Sequence, residues 1–153
     1  MSEMIVRPVH RDDYAQWLPL WAGYNAFYKR VGPSAVSQEM TDLTWQRFFD
    51  AYEPMHALVA EVEGRLIGFT HYLYHRNTVM VGPVCYLQDL FTAEAARGRG
   101  AGRALIEAVY AAASAAGSPR VYWTTQESNL TAQRLYDQIA EKSDFIQYRK
   151  ALG

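Results

Sequence analysis

The sequence predicts a single domain in which α-helices and β-strands mix, of the α+β or mixed α/β class. The chain has 153 residues, which is the length of one domain rather than two. Half of the residues are apolar and 14% are aromatic, enough to bury a substantial core. Hydrophobic spacing switches several times between helical and strand periods, and no repeat or Pro/Gly/Ser-rich linker interrupts it. Residues 1–153 are therefore expected to form one domain.

The first third of the chain predicts one strand and two helices. A strand is expected around Met4 to Val9, and the acidic residues at Asp12 and Asp13 are suited to the start of the first helix. The residues at helical spacing in that helix are mostly aromatic: Tyr14, Trp17, Leu18, Trp21, Tyr24, Asn25 and Tyr28. Gly32-Pro33 ends it, and a second helix is expected from near Ser37 to Ala51.

The rest of the chain begins with strands and then alternates. Two strands, His56–Val62 and Arg65–His75, form a hairpin around the turn at Glu63-Gly64. The further elements are a strand at Val84–Thr92, a helix beginning near Ala101 and ending at Gly117, a strand at Arg120–Thr125, a helix capped by Ser128 or Asn129, and a last strand at Phe145–Arg149. The unit from Val84 to Thr125 should be a right-handed crossover between parallel strands.

Charge and cysteine content exclude several functional classes. Lys and Arg total 15 and Asp and Glu total 16, so there is no global basic field to favour nucleic acid or an anionic membrane as the main partner. The one cysteine, Cys85, cannot form an intrachain disulfide. No signal-like start is present, and no stretch reaches the about 20 apolar residues of a transmembrane helix. We expect a soluble, cytoplasmic protein.

A glycine- and arginine-rich turn, residues 97–103, separates a strand from a helix. The first amides of a helix lack backbone partners, and glycines let an anion approach them closely. Arg97, Arg99 and Arg103 concentrate positive charge there. A phosphate site is therefore expected. The turn matches neither GxxxxGK[ST] nor GxGxxG, which disfavours a nucleotide-binding protein.

Two motifs give the chain a family resemblance. Arg97, Gly100 and Gly102 form Arg-x-x-Gly-x-Gly, and Asn129 to Tyr136 reads N-x-x-A-x-x-L-Y. In both, the sequence resembles the GNAT superfamily of N-acetyltransferases. The ending, from Leu135 to Arg149, resembles the narrower group of yeast histone/polyamine and D-amino-acid acetyltransferases. Glu94 and Asp144 depart from the family pattern, and both departures affect only local turns.

This resemblance implies a fold, a reaction and a cofactor. The fold would be a central, mixed, mostly antiparallel sheet of six to seven strands flanked by about four helices. The activity would be transfer of an acetyl group from acetyl-CoA to a primary amine, by direct attack in a ternary complex. Family habit and the aromatic helices favour a homodimer. An acyl-CoA sensor without turnover, or an enzyme acting on protein or peptide amines, remains an alternative.

The resemblance also implies the cofactor-binding residues. The strand end would pair its backbone with the amide-rich arm of CoA, the turn would bind the phosphates, and the second motif would complete the site. The implied residues are Leu90, Phe91, Thr92, Arg97, Gly98, Arg99, Gly100, Ala101, Gly102, Arg103, Asn129, Ala132 and Tyr136.

Three residues are candidates for proton transfer. Tyr136 occupies the family's general-acid position, and a phenol with a pKa near 10 holds its proton at neutral pH. Asp89, in the strand, and Glu127, in the loop after the following strand, are alternative bases, and solvent could also take the amine proton.

The substrate pocket is expected to be small and aromatic. Tyr24, Tyr28 and Trp123 would form its wall, with Glu127 attracting a cationic amine. A small molecule is preferred over a protein tail, because the chain is nearly neutral and has no extra domain. His10, His56, His71 and His75 lack metal-like spacing, so no metal is expected. Cys85 is expected to be a small buried residue.

Overall fold

A five-stranded sheet organises the computed structural model, which describes residues 3–153. The strands lie in chain order: β1 (Met4–Pro8), β2 (Met55–Val62), β3 (Arg65–His75), β4 (Val84–Thr92) and β5 (Val121–Tyr122). The first four are antiparallel neighbours, and β5 runs parallel to β4. The predicted mixed, mostly antiparallel sheet is confirmed.

Four α-helices lie within the described residues: α1 (Tyr14–Phe27), α2 (Gln38–Arg47), α3 (Ala101–Ala115) and α4 (Leu130–Ile139). Each corresponds to a predicted helix, although α2 ends before the predicted Ala51. Ser37 caps α2 by accepting a hydrogen bond from the Met40 amide, at 3.0 Å. Residues 3–123 form one compact unit that holds the sheet with α1 to α3, and Thr124–Gly153 form a second unit that holds α4. None of the helices in residues 3–153 is long and apolar enough to cross a membrane.

The prediction of six to seven strands is wrong, since the described chain has five. The expected strand at Arg120–Thr125 shortens to Val121–Tyr122, and Phe145–Arg149 forms no strand. Phe145 and Tyr148 are each 88% exposed. The sequence pattern of that segment suits a strand, but a strand is stable only when its backbone groups pair with a neighbour.

Helices α1 and α3 cover opposite faces of the sheet. Successive strand residues point to opposite faces. On β3, Phe69 is fully buried with its ring 6.3 Å from that of Trp21 of α1. A Cβ added to the adjacent Gly68 would instead lie 3.4 Å from Leu105 of α3. The sheet therefore separates an aromatic layer on the α1 side from an aliphatic layer on the α3 side.

Ion pairs anchor the start of α1 to the first two strands. Arg7 of β1 donates to both carboxylate oxygens of Asp13, at 2.8 and 2.9 Å, and to Glu61 of β2, at 3.0 Å. The hydrogen bond from Arg7 lowers the pKa of Asp13. The same carboxylate accepts from the His10 amide at 2.7 Å. Helix α1 is thus fixed over the sheet at the end where its aromatic residues begin.

Candidate active site

A bulge in β4 sets the geometry of the site. Asp89 pairs with His71 of β3, but the next pair joins Leu87 to Tyr72, so Gln88 is an extra residue without a partner on β3. A bulge bends the strand and re-aims the side chains on either side of it. It places Asp89 on the face covered by α1, where it meets side chains from that helix.

The pairing between β4 and β5 ends just before the bulge. The two strands pair at Cys85–Val121 and Tyr86–Tyr122, and their pairing ends there while β4 continues to Thr92. The far end of β4 carries Leu90, Phe91 and Thr92, the residues predicted to offer their backbone to the cofactor. On its other edge this segment pairs with Gly68, Phe69 and Thr70 of β3. The edge that faces away from β3 is therefore the one that could accept an added extended ligand.

A chain of hydrogen bonds runs from the core to Asp89. The Trp17 indole donates to His71 Nε2 at 3.1 Å, and His71 Nδ1 lies 2.8 Å from Asp89 Oδ2. The Tyr24 hydroxyl donates to the other carboxylate oxygen, Oδ1, at 2.6 Å. The Thr70 hydroxyl donates to the backbone carbonyl of Asp89 at 2.8 Å. Both oxygens of the carboxylate and the main chain of Asp89 are thus held in place.

The two tyrosines of this region keep their protons at neutral pH. Burial, followed by the negative charge and hydrogen bond of Asp89, raises the pKa of Tyr24 far above its ordinary value. Burial and then the charge of Asp89 also raise the pKa of Tyr28. The Tyr28 ring lies 5.1 Å from the ring of Tyr24. Both phenols are therefore neutral groups beside a carboxylate, able to donate hydrogen bonds.

One cation lies beside these rings. The Arg30 guanidinium carbon is 5.1 Å from the centre of the Tyr28 ring and 5.9 Å from that of Tyr24. Arg30 donates to the side chain of Asn25 at 3.0 Å, and Asn25 is itself buried and bound to the Trp21 carbonyl. Near the end of α1, a negative group, Asp89, and a positive group, Arg30, thus both lie close to the Tyr24 side chain.

The glycine turn before α3 has the geometry of a phosphate cradle. Gly98 and Gly100 have φ of +87° and +79°, a left-handed conformation that glycine adopts without steric cost. No atom lies within 4 Å of a Cβ built on either residue, so both face open space. Helix α3 begins at Ala101, and its N-cap residue, Gly100, has no side chain with which to cap the first amides. Arg103 lies in the first turn with its guanidinium 3.8 Å from Glu107. The open glycines of this turn leave room for an anion next to the start of α3.

The residues predicted from the second motif lie in the second unit. Asn129 caps α4 by accepting a hydrogen bond from the Ala132 amide at 3.2 Å, as predicted. Tyr136 is a half-buried residue of α4. Glu127 is exposed, and its backbone carbonyl accepts a hydrogen bond from Gln133 at 2.9 Å.

Within the first unit, the structure brings together some predicted residues and not others. Asp89, Tyr24 and Tyr28 meet at the bulge. Trp123 follows β5 and lies against Tyr110 of α3, with ring centres 6.3 Å apart, so it adjoins a different helix from the two tyrosines. On β4, the Tyr86 ring stacks on the ring of Tyr122, with ring centres 4.9 Å apart.

Sequence reasoning missed His71 and Trp17 as parts of this site. In the sequence, His71 is notable only as a possible metal ligand, and Trp17 only as one of the aromatic residues at helical spacing. They are 54 positions apart in the chain, so no local motif joins them. A weak signal was available, since Asp89 and His71 lie on strands expected to be neighbours.

The remaining side chains to consider are the cysteine and the possible metal ligands. Cys85 is fully buried, and burial raises the pKa of its thiol to about 11, so it is an unreactive core residue. No cluster of three or more His, Cys, Asp or Glu side chains able to hold a metal occurs in residues 3–153.

The sequence matches a protein-family model over most of its length. The model of the Acetyltransferase (GNAT) family matches residues 17–140. The D-amino-acid N-acetyltransferase HPA3 of Saccharomyces cerevisiae is 39% identical over 151 residues, covering 97% of this chain and 91% of the yeast protein. An uncharacterized N-acetyltransferase of Bacillus subtilis is 29% identical over 147 residues, covering 95% of both chains.

Solved structures extend the likeness of the fold. A ribosomal-protein-alanine N-acetyltransferase from Brucella melitensis biovar Abortus superposes with a TM-score of 0.84 at 23% identity, covering 99% of both chains. An aminoglycoside N-acetyltransferase crystallised with CoA superposes with a TM-score of 0.80 at 20% identity, covering 99% of this chain and 97% of that one. At these identities the likeness concerns the fold alone.

Proposed function

The chain belongs to the GNAT family of acetyltransferases and is an acetyl-CoA-dependent N-acetyltransferase, and we propose that its acceptor is the primary amine of a small, amino-acid-like molecule. The observation that carries this proposal is the pairing of opposite charges at one end of the site. Tyr24 contacts both charges, since its hydroxyl donates to Asp89 and its ring centre lies 5.9 Å from the Arg30 guanidinium carbon, which also lies 5.1 Å from the centre of the Tyr28 ring. An amino acid carries the complementary pair, an ammonium and a carboxylate. The yeast relative, at 39% identity, is named for its action on D-amino acids.

We assign the cofactor to the glycine turn and the free edge of β4. The amides from Gly98 to Arg103 would bind the phosphates, with Arg97 and Arg99 adding positive charge. The backbone from Leu90 to Thr92 would pair with the amide groups of the CoA arm. Family resemblance adds Asn129, Ala132 and Tyr136 to this set. When bound, acetyl-CoA supplies the acetyl group as a reactive thioester.

Asp89 is the proposed proton acceptor. A carboxylate attracts the ammonium form of the substrate, which must lose one proton to solvent before its nitrogen has a lone pair for attack, and Asp89 then takes up the second proton as the N–C bond forms. That nitrogen becomes far more acidic as its lone pair forms the new N–C bond, so a carboxylate is a sufficient base at that moment. Tyr24 and His71 hold the two oxygens of Asp89, which fixes the direction of attack. Glu127 is exposed, which favours a role in attracting cationic substrates rather than in proton transfer.

Tyr136 is the proposed general acid. As the C–S bond breaks, its phenol donates a proton to the departing sulfur, which would otherwise leave as a thiolate. This assignment rests on the position of Tyr136 in the second motif. A homodimer, a cytoplasmic location and a single domain over residues 1–153 stay predictions alongside it.

The proposal is tested by comparing amine classes with and without Arg30. The purified enzyme is assayed with acetyl-CoA and D-amino acids, L-amino acids, polyamines or histone peptides, while free thiol is measured. We expect an amino acid to be preferred. Arg30→Gln should raise KM for that amino acid about tenfold and leave KM for a polyamine, which has no carboxylate, nearly unchanged.

Arg11→Gln is the matched control, because the Arg11 guanidinium also lies over an aromatic ring, 4.6 Å from the centre of Phe49. Equal effects of the two substitutions would contradict the role of Arg30. A preference for histone peptides would mean that the acceptor is a protein or peptide amine and not a small molecule. Tight CoA binding with no thiol release for any amine would instead indicate a sensor.

A further inference from the structure

His71 is a titratable side chain enclosed in the core. It is 2% exposed, and Trp17 beneath it is completely buried. The groups that face His71 are the rings of Trp17 and Trp21 from α1, the ring of Phe48 after α2, the ring of Phe69 on its own strand, and the carboxylate of Asp89 on β4. Four aromatic rings and one carboxylate therefore surround this imidazole.

The hydrogen bond from Trp17 determines the tautomer of His71. An indole N–H can only donate a hydrogen bond, so His71 Nε2, 3.1 Å away, must be the acceptor and carry no proton. A neutral imidazole then has its proton on Nδ1, which donates to Asp89 Oδ2 at 2.8 Å. Protonation of Nε2 would set two N–H groups against each other in a buried site. Such an arrangement leaves buried donors without acceptors, which is costly.

We propose that Trp17 locks His71 in its neutral Nδ1–H form, and that this lock keeps Asp89 oriented and free of an adjacent positive charge at neutral and mildly acidic pH. His71 is then a positioning residue and does not carry a proton during the reaction. The proposal rests on the proposed function for its catalytic consequence. Its structural part, the tautomer of His71, stands independently of the reaction.

The reason for a lock follows from the position of Asp89. An unlocked imidazole beside a carboxylate would gain a proton as the pH falls, because the opposite charge favours the charged form. The resulting imidazolium would pair with Asp89 and compete with the substrate ammonium for it. A tryptophan donor at Nε2 removes that competition without placing a second charge in the core.

The test replaces the donor and measures His71 directly. Histidine-labelled ¹⁵N NMR of the intact enzyme should show His71 as the Nδ1–H tautomer throughout about pH 5–8, the range in which imidazoles ordinarily change charge. In Trp17→Phe, His71 should titrate within that range. Trp21→Phe is the matched control, because the Trp21 indole donates instead to Thr41, at 3.1 Å. In that variant His71 should not titrate. Titration of His71 in the wild type would overturn the proposal.

Activity supplies the second measurement. Relative to its value at pH 8, kcat/KM at pH 6 should be about tenfold lower in Trp17→Phe than in the wild type, following the fraction of neutral His71. His71→Asn keeps an N–H donor for Asp89 but cannot titrate. It should show no new acid limb, and the double variant Trp17→Phe/His71→Asn should lose the limb seen in Trp17→Phe.

These variants also separate the two proposals. If Trp17→Phe is too unstable to assay, His71→Asn still reports whether a non-titrating donor suffices, and a new acid limb in it would overturn the positioning role. If His71 titrates in Trp17→Phe and the pH profile of activity does not change, the lock stands and the base role of Asp89 fails.

Discussion

The glycine turn and the Asp89 network are built on opposite principles. In the turn, residues 97–103, the proposed phosphate site consists mainly of main-chain amides, and Gly98 and Gly100 face open space. In the network, side chains form the site, and Trp17, His71, Asp89 and Tyr24 are joined by three hydrogen bonds of 2.6 to 3.1 Å. The turn needs positions without a side chain at Gly98 and Gly100, whereas the network needs particular side chains. Substitutions should therefore affect binding in the first region and chemistry in the second.

The strongest test of this contrast is Asp89→Asn. The amide keeps the size of the side chain but cannot take up a proton. Its NH2 group must also face one of the two groups that contact the carboxylate, the Tyr24 hydroxyl or His71 Nδ1. We expect kcat to fall about 10³-fold with little change in CoA affinity. Turnover of a saturating amine and CoA calorimetry measure the two effects.

The control for this substitution is Asp12→Asn, at an exposed residue before α1, which should leave both quantities unchanged. A decrease of less than about fivefold in Asp89→Asn would mean that solvent, rather than this carboxylate, takes the amine proton.

Tyr136→Phe asks whether a second side chain shares the chemistry. The ring is kept and the proton donor is lost, so we expect kcat to fall about 10²-fold while CoA affinity stays the same. The loss should be smaller for an acyl donor with a more acidic leaving thiol, since that thiolate needs less help. An equal loss for both donors would contradict the general-acid role.

The contrast also explains what the sequence could predict. The turn was found because its signal is local: three glycines and three arginines lie in seven consecutive residues between a strand and a helix. The helices and the hairpin were found for the same reason, since periodicity and punctuation by Gly and Pro are local. The prediction of a last strand at Phe145–Arg149 is wrong, because a strand pattern in the sequence cannot supply a pairing partner.

The Asp89 network was only partly predictable because it depends on register. Asp89 and Tyr24 were named as separate candidates, on a strand and on a helix. Their meeting with His71 requires the bulge at Gln88, without which His71 would face a different residue of β4. No feature of the residues around Gln88 indicates a bulge. The site is therefore a product of tertiary pairing, and sequence patterns of short range could not reveal it.

Gly100→Ala tests the backbone region with an internal reference. Gly100 and Gly64 have nearly equal φ, +79° and +77°, and neither has an atom within 4 Å of an added Cβ. Alanine should cost about 1–2 kcal/mol of folding stability at either position, because the left-handed conformation is strained for a residue with a Cβ. At Gly100 alone the methyl group should obstruct phosphate, raising the Kd for CoA about tenfold in calorimetry. Equal CoA affinity in the two variants would mean that the phosphates of CoA do not bind at this turn.

The smallest effect on stability is expected for a substitution at Gly23 of α1, which faces the Phe91 side chain. A Cβ there would lie 2.9 Å from Cζ of Phe91, on the strand end assigned to the cofactor. The contact is with the far end of a side chain, so the ring can shift, and alanine gains up to about 1 kcal/mol over glycine in a helix. We therefore expect Gly23→Ala to change the free energy of unfolding by less than about 1 kcal/mol, as measured by denaturant titration.

The contrasting variant is Gly68→Ala, where the added Cβ would lie 2.7 Å from the backbone carbonyl oxygen of Phe91, which belongs to the sheet and cannot move aside. That substitution should destabilise the protein by about 2–4 kcal/mol. Because the Phe91 ring also lies against Tyr24, at 6.2 Å, the shift in Gly23→Ala should lower kcat about threefold despite its small effect on stability. If stability falls as far in Gly23→Ala as in Gly68→Ala, the Phe91 ring is fixed as firmly as the main chain, and side-chain packing at this end of β4 is as intolerant of change as the backbone.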